Sequence, residues 1–182
     1  MQGKVLSRRH FLFGVGALAA ASVIPGKAMA SVGHKRALSL VNLHTGDQAD
    51  GIYWQNGLYQ QDTLQSFNQV LKDHRSGDVT HMDPVLFDQL THLTGKLGFE
   101  GTIQVISGYR SPASNAAMKK AGHHVATHSF HTMGRAIDIR LPGIKLADAH
   151  RAALSMKAGG VGYYPHDNFI HIDTGPVRRW NG

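Results

Sequence analysis

The sequence of 182 residues contains no cysteine, and this absence narrows the chemistry that the chain can perform. Without thiols there are no disulfide bonds, no thiolate ligands for zinc and no cysteine to carry a lipid anchor. Any bound metal ion must therefore be held by histidine, aspartate or glutamate. Internal repeats and polar low-complexity segments are also missing, and 42% of the residues are hydrophobic, so the chain is expected to form one globular domain.

The first 30 residues carry the pattern of an export signal. Arg8 and Arg9 precede an apolar run at 11–24, and a small-x-small pattern follows that ends at Ala30. This order is typical of a secretory signal peptide, and the paired arginines resemble a twin-arginine signal. We therefore predict cleavage after Ala30 and a mature domain of residues 31–182. The apolar run is short for a membrane span, so no stable membrane anchor is expected.

This signal also dominates the charge of the chain. The sequence has 19 basic and 12 acidic residues, a formal net charge of +7, which by itself is compatible with nucleic-acid binding. Residues 1–30 contain four of the basic residues and none of the acidic ones, so the mature domain has a net charge of only +3. Export and this modest charge argue against nucleic acid as a partner, and they are compatible with an anionic cell-envelope polymer.

The hydrophobic pattern predicts an α+β fold in which several helices pack against a small antiparallel sheet. Four helices are predicted, at 63–74, 84–97, 112–121 and 146–158. Asp62 and Asp83 are the expected N-caps of the first two helices. Six strands are predicted, at 38–43, 51–54, 102–107, 135–141, 161–164 and 169–173.

Two of these strands hide isoleucines on one face and carry possible metal ligands on the other. In the strand at 135–141 the alternation separates Asp138 from its isoleucine neighbours, and in the strand at 169–173 it does the same for His171 and Asp173. A carboxylate between isoleucines is costly to bury unless a positive charge neutralises it. The pattern therefore indicates that Asp138 meets an arginine, a helix N-terminus or a metal ion.

A histidine upstream completes a possible metal site. If the two strands pair, Asp138 and His171 converge, and His131 can reach them from the loop across the Gly134 turn. Two histidines and one aspartate are a common way to hold catalytic Zn²⁺, with the fourth position left to water. A zinc ion would also neutralise the buried Asp138.

Three motifs resemble the zinc D-Ala-D-Ala peptidases known as LAS metallopeptidases. The segment at 129–138 is similar to the SxHxxGxAxD motif of this family, and SGYRS at 107–111 matches a segment upstream of it. The closing segments, GGVGYYP at 159–165 and FIHID at 169–173, resemble the exported murein endopeptidase K branch. The similarity runs in order through most of the mature domain.

The resemblance implies roles for individual residues. It makes His131, Asp138 and His171 the zinc ligands, and it makes Ser129 a substrate-side hydrogen-bonding residue. Arg110 would hold a substrate carboxylate or the developing oxyanion. The alternative for Arg110 is a turn residue that pairs with a surface acid.

The general base is the point at which this chain departs from the family. Several relatives have an acidic residue three positions before the last ligand or a histidine two positions before it, whereas this chain has Asn168 and Phe169 there. Asp173 shares the ligand face, so we expect it to be either the base or a carboxylate that orients a zinc-bound histidine. His166 and Asp167, in the preceding turn, are further alternatives for the base.

The sequence thus predicts a periplasmic zinc endopeptidase that hydrolyses peptide cross-links between the stem peptides of peptidoglycan, with Zn²⁺ as its cofactor. The alternatives are a zinc D,D- or L,D-carboxypeptidase that trims the same stems, and a non-catalytic peptidoglycan-binding module. Such a module would commonly lack Arg110 or a ligand, and this chain has all of them. Four aromatic residues either line a substrate groove or pack against the core: Tyr109, Tyr163, Tyr164 and Trp180.

Overall fold

A computed structural model describes residues 35–122 and 126–182, and the predicted signal peptide at 1–30 lies outside the described residues. The described chain forms four α-helices, which are α1 (Gln61–Val70), α2 (Pro84–Leu97), α3 (Pro112–Lys120) and α4 (Leu146–Met156). Its strands are β1 (Lys35–Asn42), β2 (Gln48–Gln55), β3 (Leu58–Tyr59), β4 (Ile103–Ser107), β5 (Ala136–Arg140), β6 (Gly160–Tyr164), β7 (Phe169–Asp173) and β8 (Arg178–Asn181). A 3₁₀ turn at Phe130–Met133 precedes β5. None of the described helices is long and apolar enough to cross a membrane.

The strands form one sheet in the order β3-β2-β1-β4-β5-β7-β6-β8. Strand β1 runs parallel to β4 and β6 runs parallel to β8, whereas the other neighbouring pairs are antiparallel. The predicted α+β class is confirmed, but the sheet is mixed and larger than the small antiparallel sheet that we expected. Strand β8 escaped prediction because its sequence, RRWN, has no alternation of apolar and polar residues.

One hydrophobic core lies between the helices and one face of the sheet. Leu86, Leu90 and Leu93 form the buried face of α2, as the helical spacing predicts. The isoleucines of β5 and β7 are at most 1% exposed and belong to this core. Their neighbours along each strand therefore point to the opposite face of the sheet, which carries the predicted ligands.

The start of α2 agrees with the sequence pattern. The side chain of Asp83 accepts a hydrogen bond from the backbone N–H of Val85, which makes Asp83 the N-cap as predicted. Asp83 also accepts a hydrogen bond from Thr174, directly after β7, and so connects the helix start to the end of that strand. Gly98 ends the helix in a left-handed conformation, with φ 60°.

The two predicted limits of α1 are wrong. Asp62 lies inside the first turn, and the N-cap is Gln60, whose side chain makes no capping hydrogen bond. The helix ends at Val70 and does not continue to His74. The side-chain amide of Asn42 donates to the carbonyl of Val70 at 2.8 Å, so a tertiary contact takes the place of the next helical turn.

The segment after α1 anchors the SGYRS motif. Leu71 accepts a hydrogen bond at its carbonyl from the backbone of Tyr109, and Asp73 accepts one from the backbone of Ser111. Burial opposes the charge on Asp73, but hydrogen bonds from Ser114, Arg75 and Ser111 hold the pKa of its carboxyl well below the usual range. These contacts fix the turn that carries Arg110.

Candidate metal centre

Strand pairing brings the three predicted ligands together. In the antiparallel pair of β5 and β7, Asp138 lies directly opposite His171, so their side chains share one face of the sheet. The 3₁₀ turn before β5 supplies His131. One ligand atom from each of the three side chains lies within 4.8 Å of the other two. All three residues are buried.

Their polar atoms converge on a common point. Nε2 of His131 lies 3.3 Å from Oδ2 of Asp138, and Nδ1 of His171 lies 2.8 Å from Oδ1 of Asp138. The two ring nitrogens are 3.1 Å apart. Two imidazoles and one carboxylate in this arrangement match the donor set of catalytic zinc sites.

In each of the two imidazole rings, a hydrogen bond to one nitrogen determines which nitrogen faces the cluster. Nδ1 of His131 lies 2.7 Å from the carbonyl oxygen of Gly108, which can only accept, so Nδ1 carries the proton and Nε2 has the free lone pair. Nε2 of His171 donates to a carboxylate oxygen of Asp173 at 3.0 Å, so Nδ1 is the ring nitrogen that faces the other two side chains. Both imidazoles are therefore oriented as metal ligands, and the donor chemistry of the cluster fits Zn²⁺.

Two glycines allow the backbone to approach closely around His131. A Cβ atom at Gly108 would lie 2.5 Å from the carbonyl oxygen of Leu71, so a side chain there would displace the carbonyl that orients His131. Gly134 adopts φ +67°, and a Cβ atom there would lie 2.6 Å from the carbonyl oxygen of His81. The side chain of Ser129 caps the 3₁₀ turn by accepting from the backbone N–H of His131.

Charge is balanced within the buried cluster. Burial opposes the ionised form of Asp138, but the imidazoles of His131 and His171 outweigh it and hold the pKa of this carboxyl well below its usual range. Burial likewise disfavours a charged His171, but its hydrogen bonds to Asp138 and Asp173 raise the pKa of His171 to about 9. The site is therefore built to concentrate positive charge next to Asp138.

Asp173 lies behind His171 and is 0% exposed. Its Oδ1 accepts hydrogen bonds from the backbone N–H groups of Gly160 and Gly175 and from Arg178. Its Oδ2 accepts from His171 and, at 2.6 Å, from Arg178. Burial opposes ionisation, but these partners hold the pKa of Asp173 well below its usual range. Five donors occupy the carboxylate, which favours the orienting role for Asp173 over the role of base.

Arg110 is buried beside the cluster, at 7% exposure. Its backbone N–H donates to the carbonyl of His131, and its Nη1 donates to the side chain of Asn115 at 3.3 Å. Within the described ranges, Nε of Arg110 is buried without a hydrogen-bond partner and Arg110 forms no ion pair. Burial lowers the pKa of the guanidinium, while Asp138 acts in the opposite direction. These contacts differ from those of a surface ion pair and leave a buried donor for a substrate oxygen.

The other two residues considered as base lie elsewhere. His166 and Asp167 are exposed in the turn between β6 and β7. Strand β7 begins only at Phe169, so both residues lie outside the strand that carries His171. Among the described residues, Asp138 and Asp173 are the carboxylates that hydrogen-bond to the two histidines.

Arg178 is a residue of the site that the sequence reasoning missed. It lies on β8, donates through both terminal nitrogens to Asp173, and stacks 5.0 Å from the ring centroids of Phe130 and Trp180. Strand β8 places Arg178 and Trp180 on one face, but its sequence, RRWN, offers no alternation of apolar and polar residues as a signal.

Comparisons with known proteins agree with this geometry. A family model described as peptidoglycan L,D-endopeptidase MepK, an M15 peptidase family, matches residues 30–180. Peptidoglycan L,D-endopeptidase MepK of Escherichia coli strain K12 and the protein of the same name in Shigella flexneri are each 43% identical over 96% of this chain and 97% of their own length. A probable MepK of Haemophilus influenzae is 38% identical over 88% of each chain. No solved structure matches.

The ligand assignment predicts the effect of single substitutions on zinc binding. The purified protein should bind about one zinc ion per chain, and His131→Ala, Asp138→Ala and His171→Ala should each weaken binding by more than the roughly 10- to 100-fold typical of an outer-shell partner. Metal analysis and competition titration with a chelator measure this. His92→Ala, on the exposed side of α2, is the control and should bind zinc normally. Full occupancy in all three ligand variants would contradict the assignment.

The contacts of Asp173 predict that its substitution acts through the metal. An amide cannot accept all the hydrogen bonds that the Asp173 carboxylate accepts, so Asp173→Asn should weaken zinc binding roughly 10- to 100-fold and leave the pH dependence of the remaining turnover unchanged. Zinc titration and a pH–rate profile at saturating zinc measure the two effects. Asp167→Asn, in the exposed turn, is the matched control. Normal zinc affinity with the loss of one limb of the pH profile would instead identify Asp173 as the base.

Proposed function

We propose a function for this chain on the premise that it belongs to the peptidoglycan L,D-endopeptidase MepK family of M15 peptidases. The chain is a peptidoglycan endopeptidase and a metallopeptidase, as the sequence motifs predict. Its finer properties are inferences, namely the metal, the bond that is cleaved, the roles of individual residues and the place of action.

We infer that the metal is Zn²⁺ and that His131, Asp138 and His171 hold it. The observation that carries this inference is the convergence of two imidazole nitrogens and one carboxylate, with each imidazole held from behind by its own hydrogen bond. The chain offers no thiolate, and this nitrogen and oxygen donor set is one that zinc accepts. The same cation relieves the cost of burying Asp138 between isoleucines.

The proposed reaction is hydrolysis of an amide bond in the cross-links between peptidoglycan stem peptides, including bonds between two diaminopimelate residues. Zn²⁺ at this site would supply Lewis acidity and lower the pKa of a water molecule. Gly108 and Asp173 keep the two imidazoles in the required tautomer. Arg110 then stabilises negative charge on a substrate oxygen, because its Nε donor is buried and unpaired. Such a donor is strongest where water is excluded.

Two other roles follow from the contacts. We propose that Asp173 orients His171 and does not accept the proton of the attacking water, since its oxygens are occupied by five donors. The hydroxyl oxygen of Ser129 accepts a hydrogen bond from the backbone N–H of His131. We propose that the hydroxyl group donates its proton in a hydrogen bond to the substrate.

The place of action is inferred from the N-terminal sequence. We propose that residues 1–30 direct export through the twin-arginine route and that the mature enzyme works in the periplasm, where its polymeric substrate lies. The paired arginines and the pattern ending at Ala30 support this inference.

Digestion of defined muropeptides tests the reaction. The zinc-loaded protein should convert dimers cross-linked through two diaminopimelate residues into monomers, and a chelator should abolish this activity until zinc is restored. Mass spectrometry of the products measures the cleavage, and the Asp138→Ala variant is the inactive control. Release of a single terminal residue, with the cross-link intact, would contradict the endopeptidase and identify a carboxypeptidase.

Substitution of the paired arginines tests the export route. Replacing Arg8 and Arg9 together by lysine keeps the charge of the signal, so it should block only a route that reads the arginine pair. The precursor should then remain in the cytoplasmic fraction, as measured by cell fractionation and immunoblotting. Replacing Lys4 by arginine is the control and should leave export normal. Normal processing of the double-lysine variant would refute the twin-arginine proposal and leave the enzymatic one intact.

A further inference from the structure

An aromatic wall formed by Tyr164, Phe169 and Trp180 borders the metal centre. In the antiparallel pair of β6 and β7, Gly162 lies opposite His171 and Tyr164 lies opposite Phe169. Residues directly opposite each other share a face, so Tyr164 and Phe169 project from the ligand face one pleat beyond His171. Trp180, on β8, is in register with Gly162 and joins them on this face.

Because residue 162 is glycine, Trp180 of the aromatic wall can contact the ligand His171. A Cβ atom at Gly162 would lie 2.7 Å from the indole of Trp180, so any side chain there would push the indole away. Without one, the indole reaches across β6 and packs against the imidazole of His171, with ring centroids 5.1 Å apart. The wall therefore adjoins the cluster itself.

The hydroxyl of Tyr164 is oriented by a one-way hydrogen bond. Nε1 of Trp180 lies 2.9 Å from this oxygen, and an indole nitrogen can only donate. The phenol oxygen is therefore the acceptor, and the hydroxyl proton of Tyr164 points away from the indole of Trp180. Within the described ranges no acceptor binds that proton. Stacking on Phe169, with ring centroids 4.4 Å apart and 15° between the planes, holds the phenol ring in place.

The Tyr164 hydroxyl lies close to the metal ligands. The indole that donates to it also packs against the imidazole of His171, and Arg110 lies beside the same cluster, with its backbone N–H bound to His131. One donor thus comes from the SGYRS turn and the other from the β6 edge of the sheet. Trp180 thus connects the Tyr164 hydroxyl to the ligand His171 on the face of the sheet that carries the cluster.

We infer that Tyr164 is a further catalytic residue, whose hydroxyl donates a hydrogen bond to the carbonyl oxygen of the scissile amide beside Arg110. The bond strengthens as that oxygen gains negative charge in the transition state, and the proton stays on the phenol throughout. Trp180 is a positioning residue, because its indole N–H donates to the Tyr164 oxygen and so orients the hydroxyl. This inference rests on the proposed function.

The experiment compares two adjacent tyrosines. Tyr164→Phe keeps the ring and its stacking but removes the hydroxyl, so kcat on cross-linked muropeptide dimers should fall on the order of a hundredfold, with KM and zinc affinity little changed. Tyr163→Phe is the matched control. Tyr163 alternates to the core face and stacks on His150, with ring centroids 4.6 Å apart, so its variant should keep wild-type kcat. Trp180→Phe should lower kcat by a smaller factor.

The outcomes separate this inference from the function on which it rests. Full kcat in Tyr164→Phe, with an active wild-type enzyme, would overturn the inference. An increase confined to KM would do the same, because the hydroxyl would then bind only the ground state. A wild-type enzyme that binds zinc but leaves every dimer intact would refute the proposed function instead. Loss of zinc from Tyr164→Phe would show a structural role and also overturn the inference.

Discussion

The buried carboxylate of Asp138 is the constraint on which the rest of the site depends. It lies on a strand whose isoleucines fill the core, so it cannot turn toward bulk water without losing that packing. Two imidazoles meet it at hydrogen-bonding distance, one supplied by the neighbouring strand and one by the preceding turn. Where no metal ion is bound, protonated His171 neutralises this carboxylate, and a bound cation takes the place of that proton. The fold thus buries a carboxylate, and a bound metal ion would offset the cost of that burial.

The two ligand histidines are themselves held in place by a backbone carbonyl and by a second buried carboxylate. His131 is fixed by a carbonyl that can approach only because Gly108 has no side chain. His171 is fixed by Asp173, and that second buried carboxylate is neutralised in turn by Arg178 on the edge strand β8. A site that seems to consist of three side chains therefore depends on two glycine-dependent turns and the last strand of the sheet. From this dependence we expect that a change far along the chain, as at Arg178, alters metal affinity.

The sequence predicts which side chains share a face of a strand better than it predicts which strands lie next to each other in the sheet. Alternation within β5 and β7 is a local property, so the convergence of Asp138 and His171 could be anticipated from it together with the assumption that the strands pair. The mixed sheet and the place of β8 depend on contacts between distant segments, which no local pattern encodes. The wrong end of α1 has the same origin, because Asn42 binds the carbonyl of Val70 from another part of the chain. The orienting role that we propose for Asp173 follows from its five hydrogen-bond donors, which come from several parts of the chain and form no local pattern.

The departure from the family pattern near the last ligand has a structural meaning. Position 169 lies two residues before His171 and therefore on its face, so a histidine there would look into the site. This chain has Phe169, which stacks on Tyr164 and can accept no proton. Asn168, with φ 54°, is left-handed in the β6–β7 turn, and its carbonyl accepts from Arg140 at 2.8 Å. The two positions at which relatives carry an acid or a histidine therefore have structural roles here: Asn168 forms the turn, and Phe169 is part of the aromatic wall. The groups behind the two imidazoles are acceptors, and Arg110 beside them is a buried donor, which is the arrangement that the proposed stabilisation of negative charge on the substrate requires.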